Sequence, residues 1–181
     1  FSTGEDDKAF VEHTIILGWN IKACSIAREL DNYLGDGSTL TVVAEGDDIE
    51  NKIEHLKSSL KNQKVNYITG NISDRELLDS LELQKYNHII LLSYSDSMPE
   101  QEADSKSLIT LLHLRNIEEK TGYDFTIVSE MMDIRNKELA EVTEADDFII
   151  SNKLISLMLS QLSENKELKA VFDDLFDADD S

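Results

Sequence analysis

The sequence predicts an α/β fold: a Rossmann-like, doubly wound parallel sheet of about six strands with a C-terminal helix-turn-helix. Three observations predict it. Short β-branched or apolar runs alternate with segments of helical periodicity along the whole chain, the strongest runs are continuously apolar, and a glycine-bearing loop directly follows the first of them. Strands buried on both faces read as unbroken apolar stretches, and parallel neighbours need helical crossovers of one hand. With 181 residues the chain suits one domain-sized core.

The first strand is His13-Thr14-Ile15-Ile16-Leu17, which stops at Gly18. From Ile21 to Leu34 the residues Ile26, Ala27, Leu30 and Leu34 recur at helical spacing, and Gly35-Asp36-Gly37 supplies the stop. Thr39 to Ala44 is a second strand by its β-branched content, followed by Glu45-Gly46 and a polar, Lys-containing helix. Val65 to Ile68 is a shorter third strand, Gly70-Asn71 a turn, and Ser73 to Glu76 a capped helix start. His88 to Leu92 repeats the buried-strand signature. Pro99 to Lys120 reads as a long helix with Leu108, Ile109, Leu111, Leu112, Leu114 and Ile117 on one broad apolar face, closed by Thr121-Gly122. Phe125 to Val128 is the fifth strand, a short helix spans Asn136 to Ala140, and Asp147 to Ile150 is the sixth strand.

Residues 151–178 differ in kind. A helix carrying Leu154, Ile155, Leu157, Met158, Leu159 and Leu162 precedes a second with Leu168, Val171, Phe172, Leu175 and Phe176, more apolar surface than one sheet needs. Such a helix-turn-helix is expected to be a subunit contact, with Leu154, Leu157, Met158, Val171, Phe172 and Leu175 as interface candidates. Residues 1–12 read as a linker, 13–150 as the core and 179–181 as an acidic tail.

Composition excludes several classes of function. Lys and Arg total 17 against 37 Asp and Glu, a formal net charge of -20, which argues against a grip on nucleic acid or on an anionic lipid surface. The longest apolar run is only a few residues, so no membrane insertion and no export signal is expected. The lone Cys24 can form neither an internal disulfide nor a structural zinc site and is expected to be a small core hydrophobe.

The clearest landmark for chemistry is Gly18-Trp19-Asn20-Ile21-Lys22-Ala23, directly after the first strand. Dinucleotide-binding folds place G-x-G-x-x-G or G-x-G-x-x-A there, the middle glycine letting backbone approach a pyrophosphate. Here Asn20 holds that middle position, bringing a side chain into the space. Glu45, at the end of the second strand, stands where an acidic residue accepts ribose hydroxyls. The candidate cofactor contacts are Gly18, Trp19, Asn20, Glu45, Asp47 and Ser93, with NAD(H) or an adenine nucleotide as ligand.

A second possibility rests on carboxylates at predicted strand ends, since hard cations take several oxygens from loops. Glu45, Asp96, Glu102, Asp104, Glu130 and Asp133 are the candidates for a Ca²⁺ site, set against a merely solvated acidic rim. His13, His55, His88 and His113 show no helical metal-site spacing, and no G-x-S-x-G elbow or complete P-loop supplies a catalytic apparatus.

Three stretches carry a family resemblance: HTIILGWN at His13 to Asn20, QEADSKSLITLLHLRN at Gln101 to Asn116, and Ile149 to Phe176. Over most of residues 12–178 the chain resembles the regulator-of-K⁺-conductance (RCK, KTN/TrkA-N) domain, with the CASTOR/POLLUX channel family nearest and Glu130 to Phe176 suggesting the second such domain of a channel. The resemblance implies a non-enzymatic gating module on the cytoplasmic face of a membrane, joined to a pore upstream of Phe1 and paired through its terminal helices into a dimer or tetrameric ring. Family members sense Ca²⁺, nucleotides or nicotinamide dinucleotides, so Gly18, Asn20 and Glu45 carry over as the nucleotide loop, Asn20 departing from the pattern. Two rivals stand beside it: a small NAD-dependent oxidoreductase or redox sensor, and an assembly domain with no ligand.

Overall fold

A computed structural model describes residues 10–133 and the strand at residues 147–150. Six strands form one parallel sheet in the order β3-β2-β1-β4-β5-β6, namely β1 His13–Leu17, β2 Ser38–Ala44, β3 Gln63–Thr69, β4 His88–Leu91, β5 Ile127–Met131 and β6 Asp147–Ile150. Consecutive strands run outward to one edge, then the chain returns to the centre and runs outward to the other. This is the doubly wound order, and it leaves a crevice at the carboxyl ends of β1 and β4, where the winding reverses. Among the described residues four α-helices accompany the strands: α1 Lys22–Tyr33, α2 Ile49–Ser59, α3 Arg75–Ser80 and α4 Glu100–Thr121.

The core follows from the apolar runs. Ile15, Ile16, Leu17, Leu40, Val42, Val43, Ile89, Ile90 and Leu91 are all essentially inaccessible, as strands covered on both faces must be. α1 buries Ala23, Ile26, Ala27 and Leu30, while α2 buries Ile49, Ile53 and Leu56. Strand β3 at the edge alternates buried and exposed residues over Gln63 to Asn66, because only one side of it faces the core there.

Local signals set the helix ends. Asp74 accepts from the Glu76 N–H as N-cap of α3. Gly122 ends α4 in the left-handed region at φ 78°. Gly18 has φ 98°, and a Cβ there would lie 2.2 Å from the Leu92 carbonyl oxygen, so this position requires glycine for both conformation and space.

Two sequence expectations change. α4 buries Leu111, Leu114 and Ile117, but Ile109 and Leu112 are exposed, because Ala103, Asp104, Ser107 and Thr110 take the inner positions of its first turns. The fifth strand begins two residues later than predicted: Phe125 N–H is held by the Glu118 carboxylate at 2.7 Å, and pairing with β4 starts at Ile127 opposite Ile89. The strand therefore carries Glu130 inside it rather than in the loop that follows. The helix-turn-helix with Leu154, Leu157, Met158, Val171, Phe172 and Leu175, the short helix at Asn136 to Ala140, and most of the leading linker lie outside the described residues.

Candidate functional site

The crevice between β1 and β4 is closed by a polar network drawn from three distant stretches. Its centre is Glu130, fully buried on β5. A lone carboxylate in such a place would be costly, but this one is satisfied on both oxygens. Oε1 accepts from Asn20 Nδ2 at 2.8 Å and from the Ser93 N–H at 3.1 Å, while Oε2 accepts from Lys22 Nζ at 2.6 Å. Asn20 also donates to the Ser93 carbonyl at 2.8 Å, and its Oδ1 accepts from the Lys22 N–H at 2.9 Å. The side chain standing where the fingerprint has glycine thus points inward and locks the β1-to-α1 loop onto the ends of β4 and β5.

The start of α1 is finished by a residue from another loop. Asp96, between β4 and α4, accepts from the Ile21 N–H at 2.6 Å. In dinucleotide-binding sheets a pyrophosphate takes such helix-terminal N–H groups. Here the protein's own carboxylate and the Asn20 amide oxygen take those of Ile21 and Lys22.

A second group of side chains lies at the end of β2. Glu45 is half exposed and 3.5 Å from Lys106 Nζ on α4. Lys106 also sits 5.5 Å from the Tyr94 ring centroid, and the Tyr94 hydroxyl accepts from the Glu45 N–H at 3.2 Å. Burial pushes the Tyr94 phenol up to about 12, so it stays protonated at neutral pH. Glu45 is placed, and partly free, as a ribose-contacting carboxylate requires.

The predicted cofactor contacts divide accordingly. Gly18, Asn20 and Ser93 meet in the crevice, and Glu45 stands at its β2 side. Trp19 is packed into the core, and Asp47 is exposed on the loop before α2. At the ribose position Glu45 offers a half-exposed carboxylate, whereas the Ile21 N–H at the diphosphate position is held by Asp96.

The expectation of a strand-end cation site is not met by this arrangement. Among the described residues no group of three or more His, Cys, Asp or Glu side chains is placed to hold a metal ion. The reason lies in what each carboxylate does instead. Asp104 is buried and accepts from the Met132 and Asp133 N–H groups, each at 2.9 Å, fastening the end of β5 to α4. Asp133 accepts from Gln101 Nε2 at 2.7 Å, Asp96 from Ile21, and Glu130 is enclosed by Asn20, Ser93 and Lys22. Glu102 is exposed on α4, and Glu45 faces Lys106.

Sequence reasoning missed Lys22, Gln101, Lys106 and Tyr94. In a chain of net charge -20, a lysine inside the Gly18-to-Ala23 loop motif and another within QEADSKS were signals available. Tyr94 and Gln101 gave none.

A doubly wound parallel sheet with a glycine-bearing loop at its switch point defines a Rossmann-like domain. The chain belongs to the TrkA-N domain family, which matches residues 14–151. It is 26% identical over 200 residues to the probable ion channel CASTOR of Oryza sativa subsp. japonica, covering 91% of this chain and 22% of that protein. It is likewise 26% identical over 211 residues to the probable ion channel POLLUX of Arabidopsis thaliana, covering 97% and 26%. The chain thus spans about a quarter of the length of these relatives. Among solved structures it is similar to the human SLO3 gating ring (TM-score 0.53, 14% identity, 83% of this chain and 26% of that one). It is also similar to the GsuK channel bound to NAD (TM-score 0.53, 18% identity, 82% and 24%). No helix among the described residues is long and apolar enough to cross a membrane.

Proposed function

We propose that this chain is a regulatory domain that gates a cation channel or transporter by moving when a ligand enters the crevice between β1 and β4. The observation that carries the reading is the Glu130 network. It ties the β1-to-α1 loop, from one half of the sheet, to the ends of β4 and β5, from the other. A ligand that favours one spacing of these loops over another shifts the equilibrium between them, and about 1.4 kcal/mol of preference is a tenfold shift.

The named relatives support a channel context, and the NAD-bound neighbour supports an adenine nucleotide or dinucleotide as ligand class. Gly18, Asn20, Ser93 and Glu45 are the proposed contacts. The action is conformational rather than catalytic, on the cytoplasmic face of a membrane and linked to a pore. Copies pair through residues 151–178, where Leu157→Asp or Phe172→Asp would dissociate them.

The test is a thermal-shift titration of the purified chain with NAD⁺, NADH, ATP, ADP, Mg²⁺ and Ca²⁺. A ligand at 100 times its dissociation constant stabilises by about 2.7 kcal/mol, a visible shift. A saturable rise with an adenine nucleotide is expected. A response to Ca²⁺ alone would replace the nucleotide reading, and no response to any of them would overturn ligand sensing by this domain.

A further inference from the structure

We infer that Asp96 is an internal occupant of the phosphate position, and that a phosphate-bearing ligand enters this crevice only by displacing it. The inference deepens the nucleotide reading above and rests on it for the identity of the natural ligand.

Asp96 reaches the Ile21 N–H at 2.6 Å across a separation of 75 residues, so the contact is tertiary and no part of the local helix start. Asp96 is itself exposed, and so is Ile21, at 79% of its surface. The Ile21 N–H therefore sits at a mouth open to solvent, where water could satisfy it; a carboxylate there duplicates the charge and the acceptor geometry of a phosphate oxygen. One residue along, Asn20 bonds Ser93, whose Oγ is fully buried and has no hydrogen-bond partner although its backbone N–H and carbonyl are both engaged by the network. An orphaned buried hydroxyl is a polar group still lacking a partner, which a group entering as the Asp96 loop moves would supply.

The consequence is selectivity and motion together. While Asp96 holds the Ile21 N–H, a phosphate would have to enter beside a carboxylate, with Glu130 buried behind the loop. Two anionic groups cannot share the one N–H, so the phosphate and the carboxylate compete for it. A ligand that wins the N–H releases the loop carrying Asp96. That loop leads through Pro99 directly into α4, so displacement is passed to the longest helix of the described fold.

The experiment compares the wild-type chain with Asp96→Asn and Asp96→Ala, with circular dichroism confirming that each folds. Isothermal titration with ADP and thermal shift with inorganic phosphate alone are the readouts. ADP should bind the alanine variant about tenfold tighter than wild type, with the asparagine variant between them, and phosphate should stabilise only the variants. Equal ADP affinity in all three chains would overturn the displacement and leave the nucleotide reading standing. Phosphate stabilisation confined to the variants, with ADP binding none of them better than phosphate, would uphold the displacement and remove the nucleotide. No gain for either probe in the variants would overturn the inference outright.

Discussion

Two buried carboxylates, one at each end of the sheet, show how the same chemistry serves different ends. At the amino-terminal end Asp31, near the close of α1, accepts from the N–H groups of Lys61, Asn62 and Gln63 at 2.8, 2.9 and 3.0 Å, and so pins the connection from α2 to β3. Everything it touches belongs to the β1-to-β3 half. At the carboxyl-terminal end Glu130 bonds Asn20, Ser93 and Lys22, and its partners come from both halves. Asp31 is a fastener within one half, whereas Glu130 ties together the loops that leave the sheet on the two sides of its switch point. Of these two carboxylates only Glu130 would lose bonds if the loops of the two halves shifted against each other, a property it shares with the Asp96–Ile21 and Lys106–Glu45 contacts.

Four experiments would break or sharpen this contrast. The largest effect is expected from Glu130→Ala, which strands the Lys22 ammonium, the Asn20 amide and the Ser93 N–H at once. Loss of one partner from a buried charged group costs about 3–5 kcal/mol, measurable as a fall in the denaturation midpoint. If Glu130→Ala lost less than Asp31→Ala, the tie would not be the stronger element.

Acid tests the amino-terminal end, where His88 begins β4. Burial lowers its pKa from 6.5 to about 4, so between those values the unfolded chain binds a proton that the folded chain refuses. Stability should therefore fall as pH drops from about 6.5 to 4, by up to about 3 kcal/mol at the bottom of that window. Glu12, whose carboxylate lies 3.7 Å from His88 Nε2, has a pKa raised by burial. It acts in the opposite sense, favouring the fold at low pH and losing that contribution as pH rises through its folded value, so the net loss is smaller. A His88→Asn variant should flatten the slope; an unchanged slope would place the sensitivity elsewhere.

Asp31→Ala should cost about 2 kcal/mol, since water can reach the freed N–H groups of Lys61 and Asn62 in their part-exposed loop, while that of Gln63 is left buried at the start of β3. Its effect on nucleotide affinity should be nil, a distinction that Glu130→Ala should not share. The smallest effect belongs to Lys106→Ala, which removes a 3.5 Å pair with half-exposed Glu45. Stability should change by less than about 1 kcal/mol, while any ligand that uses Glu45 should respond in affinity.

Much of the fold was legible in the sequence because its signals are local. The unbroken apolar runs at Ile15 to Leu17 and Ile89 to Leu91 marked central strands, and Pro99 and Gly122 marked the ends of α4 within a residue. The apolar face of α4 was drawn too broadly, since periodicity cannot say which side of a helix finds a partner. Of the six candidate cofactor contacts, the structure brings Gly18, Asn20 and Ser93 together and sets Glu45 at the β2 side of the crevice, while Trp19 is in the core and Asp47 on an exposed loop. The roles of the strand-end carboxylates were not legible, because an acidic residue at a strand end reads the same whether it faces water, a cation or a backbone N–H.

The sequence by itself determined the order of strands and helices, the doubly wound class and the position of the loop at the switch point, since each follows from periodicity, caps and glycines within a few residues. Tertiary structure alone decided that Glu130 is a buried tie and Asp96 a cap on α1. Their partners lie up to 110 and 75 residues away, and no local pattern of the kind that marks Asp74 as a cap reveals which donors converge at that separation.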